Sequence, residues 1–298
     1  MTSGAPIGFG LIGVDSPHAP SFARLFGDGT AGAVEGGTVA AAWKAPAATD
    51  FPPSRDRNDT FADELVGLGV PLLDSAEAVA EASDALLVVA SDSRTHPALF
   101  ERVAPFGKPV YVDTRFAPTS AEAARMLATA ERAGCLVLAG SPKRFTPEFR
   151  AAAAGGPVER IELTGALPTQ PGHPGLHWYG VHLVDLAVAA LGPGCRFIDA
   201  RAERLRLDWG DGRTAELGGP ADWQPLTRGR LLGAGTAREF TIVAEEAMLV
   251  GLLDAIVAAC RSGVPTVPEA EIRDVVAIVE AGTAAIADRA VVELPRPR

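Results

Sequence analysis

Two polar residues, His182 and Asp185, interrupt the otherwise apolar run HWYGVHLVDLAVAALG, whose spacing predicts a helix over Tyr179–Leu191. Residues three apart on a helix share a face, so the Asp185 carboxylate can orient the His182 ring. An imidazole that changes charge near neutrality suits proton transfer. A structural histidine would leave the same pattern. His173 and His177 precede it in a Pro/Gly-rich loop, but the spacing of the three histidines matches no standard zinc pattern and no metal is expected. A second polar group leaves the stretch Gly107–Thr119, GKPVYVDTRFAPT, where the apolar run Val110–Val112 gives way to Asp113-Thr114-Arg115. Arg115 stays protonated and can polarise a carbonyl, hold a carboxylate, or simply pair with Asp113. Lys143 and Arg144 follow a further short apolar run. They are the other cations placed to face a substrate, and Lys143 is a second candidate for electrophilic support.

These groups need elements that present them. Ile7–Gly13, Thr38–Trp43, Ala85–Ala90, Val110–Val112 and Leu136–Ala139 read as short buried strands. Helical stretches alternate with them, among them His18–Phe26, Ser75–Ala82 and Ser120–Ala133. This alternation predicts βαβ units and a parallel, doubly wound sheet. In such a sheet ligands bind at the carboxyl ends of the strands, which would put Asp113, Thr114 and Arg115 on the floor of a site. After Arg150 the texture changes. Val158–Leu167, Arg201–Asp208, Arg213–Leu217 and Glu239–Ile242 alternate apolar and polar residues, and Asp211-Gly212 signals a hairpin. Two helices, Met248–Ala259 and Glu269–Ala287, and a last strand, Ala290–Leu294, close an α+β half, a largely antiparallel sheet with helices on one face.

The first strand leads into Gly13-Val14-Asp15-Ser16-Pro17-His18. A dinucleotide-binding turn needs glycine where backbone approaches the pyrophosphate and where the helix packs on its strand. Only Gly13 remains, with Asp15 and His18 at the other two positions. Ser16 can cap the helix and donate to a phosphate at its N-terminus. The second strand ends at Lys44, which can accept a 2′-phosphate or stand solvated in its loop. The third exits through Ser91-Asp92-Ser93-Arg94-Thr95-His96.

Length and composition set the outer limits. The chain has 298 residues, enough for two ordinary domains, and its formal net charge of −10 disfavours nucleic acid or anionic membrane as partner. The three cysteines, Cys135, Cys195 and Cys260, form no disulfide framework, so a reducing cytoplasm is expected. No apolar run reaches membrane-spanning length, and no targeting segment is recognised.

Five stretches, in order, resemble the glucose–fructose oxidoreductase / inositol dehydrogenase (Gfo/Idh/MocA-like) family: GFGLIGVDSPHA, ASDSRTH, GKPVYVDTRFA, SPKRFTPEF and HWYGVHLVDLAVAALG. The resemblance implies an N-terminal Rossmann domain, 1–147, that binds NAD or NADP. It also implies a C-terminal α+β domain, 148–298, with an open, largely antiparallel sheet, for substrate and oligomerisation. It carries Ser91, Asp92 and His96 over to the cofactor crevice with Gly13, Ser16, His18 and Asp113, while Lys44 mildly favours NADP. Relatives move hydride with help from a Lys and a downstream His. His182 matches that His, but Thr114 stands at the Lys position, Arg115 at the following Pro, and Trp178 where relatives have Asp. The expected function is therefore an NAD(P)-dependent oxidoreductase of a small sugar- or polyol-like molecule with a rearranged site. Its residues are His182 as acid/base, Asp185 behind it, and Arg115 or Lys143 as the electrophile. The other reading is the same fold without hydride transfer: a cofactor-free lyase or isomerase using His182, or a binding or partner protein. A homodimer or homotetramer through the C-terminal sheet is the expected assembly.

Overall fold

The computed structural model describes residues 4–30 and 32–295. Its secondary structure falls into two sheets. The first holds β1 (Ile7–Ile12), β2 (Gly37–Trp43), β3 (Ala85–Val88), β4 (Val110–Val112) and β5 (Val137–Leu138), all parallel in the order β2-β1-β3-β4-β5. Phe9, Leu11, Leu86, Leu87, Val110, Tyr111 and Val112 are fully buried, as strands covered on both faces require. That is why these strands read as continuous apolar runs rather than alternating ones. Val70–Leu73 forms only a bridge from Leu72 to Ala42.

The second sheet contains β6 (Arg160–Thr164), β7 (Phe197–Asp199), β8 (Leu205–Asp208), β9 (Thr214–Gly218), β10 (Leu226–Gly233), β11 (Thr236–Val243) and β12 (Val291–Glu293). Its order is β11-β10-β6-β9-β8-β7-β12, and only β6 and β9 run parallel. One face buries Ile161, Leu163, Ala215, Leu217, Leu231, Phe240 and Ile242 in a core shared with the helices Gly180–Leu191 and Glu269–Asp288. The other face is charged. Together the two sheets give the expected class, a Rossmann-like parallel sheet and a separate, largely antiparallel one.

The compact units do not follow a single cut at residue 147. One unit comprises the chain to Ala117, with Ala121–Ala139 and Leu252–Val267. The other comprises Pro118–Ser120, Gly140–Gly251 and the chain from Pro268 onward. Thr266 explains the return of the late segment: its Oγ1 accepts from Ala139 N at 3.0 Å and donates to Ala139 O at 2.8 Å, satisfying backbone just past β5. Lys143 and Arg144 accordingly lie in the second unit. Among the described residues no helix is long and apolar enough to cross a membrane.

Candidate active site

In the second unit the candidate site begins with the helix Gly180–Leu191. Nearly all of it is buried, and His182 and Asp185 are its only polar side chains. Buried polar groups must be paired or they cost stability. His182 Nδ1 meets Ser141 Oγ at 2.8 Å. Asp185 accepts from Ser141 N at 3.3 Å and from Arg144 at 3.3 Å. Arg144 also holds Glu271 at 2.5 Å. Burial pushes the Asp185 carboxyl up, against Arg144 and the Ser141 N–H, which favour its ionised form. Burial works against the Arg144 charge too, but Asp185 and Glu271 outweigh it and raise the guanidinium's pKa.

Asp185 therefore reaches His182 by a different route from the direct contact that the i, i+3 spacing suggested. It fixes the backbone of Ser141, and the Ser141 hydroxyl contacts the ring. A hydroxyl can donate or accept, so Ser141 accommodates the imidazole in either protonation state. Ser141 carried no sequence signal as a site residue, since a lone serine before Pro142 reads as a cap, a job it also performs for Lys143 N.

Lys143 is 6% exposed and its Nζ donates to Thr227 Oγ1 on β10 at 2.7 Å. Burial lowers its pKa to about 8. Tyr179 packs edge-on against the His182 ring, with centroids 5.5 Å apart, and its hydroxyl accepts from Trp223 Nε1 at 3.1 Å. Trp223 is 55% exposed and, like Thr227, carries no signal in the sequence that marks it as a site residue. His173 is buried against Trp178, which occupies the position of the relatives' Asp. Burial lowers the pKa of His177, with Glu280 opposing it. Among the described residues no group of three or more such side chains is arranged as a metal site.

In the first unit, the turn after β1 retains the geometry its glycine demands. Gly13 has φ +82°, and a Cβ there would lie 2.9 Å from Ala90 Cβ. Asp15 is turned onto the exit of β3. Its Oδ1 accepts Ser91 N–H at 2.8 Å, and its carbonyl accepts the Ser91 hydroxyl at 3.0 Å. Ser91 is thus engaged in joining β1 to β3. Ser16 Oγ accepts His18 N–H at 3.3 Å, as a cap would, with the helix starting at His18.

Asp113 is the centre of this unit's polar cluster. Its Oδ1 accepts from Tyr111 Oη at 3.0 Å and from Thr114 N at 2.8 Å, while Oδ2 lies 2.8 Å from His18 Nδ1. Burial would raise its pKa, but the His18 ring, Arg115 and the Thr114 N–H outweigh burial and hold the carboxyl well below the usual range. Arg115 takes a left-handed backbone, φ 74°, uncommon for a non-glycine, and its guanidinium reaches Ser91 O at 3.5 Å.

Three other expected cofactor residues have partners of their own. Lys44 directly follows β2 and pairs with Asp59. Asp92 accepts from the Arg94 backbone and guanidinium, and Arg94 continues to Asp50. His96 is fully buried with Nε2 2.7 Å from Ala90 O, and burial drives its pKa down.

No protein-family model matches the sequence, and no curated protein matches it. Solved structures do match its fold. GenD2 from gentamicin A biosynthesis, in complex with NAD, superposes with TM-score 0.79 at 15% identity, covering 99% of this chain and 98% of that one. Myo-inositol 2-dehydrogenase from Lactobacillus plantarum gives 0.77 at 13% identity, with 97% and 100% covered. UDP-N-acetylglucosamine 3-dehydrogenase GnnA from Acidithiobacillus ferrooxidans gives 0.74 at 18% identity, with 96% and 99% covered. The chain has the fold of these dehydrogenases. At such identities the likeness establishes architecture over the whole chain and leaves activity to the residues.

Proposed function

We propose that the protein is a nicotinamide-dependent oxidoreductase of the Gfo/Idh/MocA type, acting on a small polar, sugar- or polyol-like substrate. The end-to-end match of both units to dehydrogenases, one of them in complex with NAD, is the observation that carries this reading. The first unit is the nucleotide domain in this account, and the second binds substrate.

The turn at Gly13 fits a dinucleotide in two respects: the glycine that makes the tight turn is kept, at φ +82°, and the neighbouring carboxylate of Asp15 is tied to Ser91 N–H. Gly13 and Ser16 are the residues that would line a bound pyrophosphate. Bound nicotinamide supplies hydride exchange. The chain itself must move the proton and stabilise charge on oxygen. His182, set by Ser141, takes or returns the proton of a substrate hydroxyl. Lys143, an ammonium whose pKa lies near 8, supplies positive charge toward a developing alkoxide. Asp185 positions Ser141. Lys44, committed to Asp59, offers weak support for a 2′-phosphate, and NAD and NADP are both to be tested.

The test is a redox screen: NAD+ and NADP+ offered with a panel of polyols, sugars and sugar acids, followed by the absorbance of the reduced nicotinamide. With a substrate in hand, His182→Ala should lower kcat by roughly 10²- to 10⁴-fold, the usual worth of a general acid–base. Unchanged turnover would remove His182 from the mechanism.

A second reading has its own observations. Asp15 and His18 fill the places of two turn glycines, and Thr114 that of the Lys. They favour a chain that kept the fold and gave up hydride transfer, whether a lyase or isomerase using His182 or a binding protein. Binding of reduced nicotinamide separates the two.

A further inference from the structure

Outside the His182 group, Asp113 is the most deeply paired carboxylate of the first unit's polar cluster. A carboxylate buried to 1% exposure is costly unless every oxygen is paired. Here Tyr111 and the Thr114 backbone occupy Oδ1, and His18 occupies Oδ2. An ionised carboxylate has only acceptors, so the proton of that contact sits on His18 Nδ1. The neutral ring then presents Nε2 as a base, and the charged ring presents it as an acid. The plane of the ring is fixed by stacking on Phe22, with centroids 5.5 Å apart and planes 17° apart. Of the pair, only His18 reaches solvent, with a side chain 21% exposed against 1% for Asp113.

The pair sits where β1 and β4 end, on the side of a parallel sheet that opens to ligands. Beside it, Thr114 Oγ1 is buried without a hydrogen-bond partner among the described residues, an unmet polar group next to the carboxylate. A histidine oriented by a buried carboxylate is the base–orienter half of many proton-transferring sites.

We propose that His18 and Asp113 form a proton-transfer pair at this sheet end, with His18 Nε2 exchanging a proton with a hydroxyl- or carbonyl-bearing ligand and Asp113 acting as its positioning residue. In the forward direction the ligand's O–H bond breaks, its electron pair stays on oxygen, and the proton bonds to Nε2; the reverse step returns it. Arg115, which lies close enough to Asp113 to favour its charge, is the nearby cation that would stabilise the resulting oxyanion. The inference goes beyond the nicotinamide reading and does not require it.

The test uses the whole chain without added cofactor. Nitrogen-edited NMR of the histidine rings reports the tautomer, and diethyl pyrocarbonate with peptide mapping reports the acylation rate at each ring. His18 should carry its proton on Nδ1. In Asp113→Asn its acylation should slow by about ten- to a hundredfold, the factor that matches a hydrogen bond to a charged group. The rate at His182 should stay unchanged. If Asp113→Asn does not fold, Tyr111→Phe removes a donor from Oδ1, leaves the carboxylate a stronger acceptor for His18 Nδ1–H, and should change the His18 rate in the opposite direction, speeding it by a smaller factor. A proton found on Nε2, or a His18 rate indifferent to the variant that folds, would overturn the pair. Millimolar NADH added to the wild type should shield His18 if the nicotinamide reading also holds. Failure to shield would count against that reading alone.

Discussion

Lys143 is the residue whose environment makes the sharpest demand. Its ammonium is buried with a hydroxyl for a partner, and its pKa falls from 10.5 to about 8. Below pH 8 both folded and unfolded chains hold the proton, and the fold bears the cost of burying it. Between pH 8 and 10.5 the unfolded chain binds more protons, so stability rises with pH across that window. Lys143→Met removes the buried charge. It should be more stable than the parent at pH 7, by about 3 kcal/mol, with the gap shrinking toward pH 10. Chemical denaturation at the two pH values measures this, and a gap independent of pH would refute the depressed pKa. The same environment suits Lys143 to a role near a developing negative charge, because among the described residues its ammonium pairs with the Thr227 hydroxyl and with no carboxylate.

At the scale of elements, the helix Gly180–Leu191 and the short turn Ser141–Phe145 act as one piece. Asp185 joins them through Arg144 and Ser141 N, with Arg144 passing on to Glu271 in the helix Glu269–Asp288. Removing one member leaves a buried charge behind, and such truncations cost about 3–5 kcal/mol. Asp185→Ala should therefore show a loss of this size in urea denaturation, where a surface pair would lose under about 1 kcal/mol. Asp185→Asn keeps the shape and should fall between. A loss within the surface range for Asp185→Ala would show that the network does not hold the turn.

Much of this scaffold was legible in the residues. Buried parallel strands announce themselves as apolar runs such as ALLVVA, and Asp211-Gly212 joins β8 to β9 as its turn chemistry requires. Strand β10 was not legible, because two arginines and two glycines break its apolar pattern. Its alternation is nevertheless real. Gly229 sits on the inward face, where a Cβ would lie 2.2 Å from the Phe240 ring, so the large partner on β11 dictates the small residue. Of the candidate site, the titratable members His182, Asp185 and Lys143 could be named from the sequence, and Ser141, Thr227 and Trp223 could not. These matter only through neighbours brought close from distant parts of the chain, and spacing cannot report such neighbours. The compact unit formed with Leu252–Val267 was hidden for the same reason.

For the whole molecule, the open face of the seven-stranded sheet bears on assembly. Arg160 pairs with Glu162 at 3.0 Å and with Glu216 at 2.9 Å, and Arg230 lies 3.8 Å from Glu239. Exposed pairs of this kind are individually weak and are screened by salt. A homodimer or homotetramer through this sheet, the assembly expected from the family resemblance, would thus be held by exchangeable ion pairs rather than an apolar seam. Light scattering should show association that weakens as salt is raised from about 0.05 to 0.5 M, a range over which the Debye length shrinks several-fold. A salt-insensitive oligomer would place the interface elsewhere.

The central claim is that a chain with dehydrogenase architecture and one surviving turn glycine still holds a nicotinamide nucleotide. Unfolding followed at increasing NADH, and separately NADPH, addresses it without knowledge of the substrate. The account predicts a saturable stabilisation by at least one of them, about 2.7 kcal/mol once the nucleotide reaches 100 times its Kd. An unfolding curve unmoved by millimolar concentrations of both would contradict it.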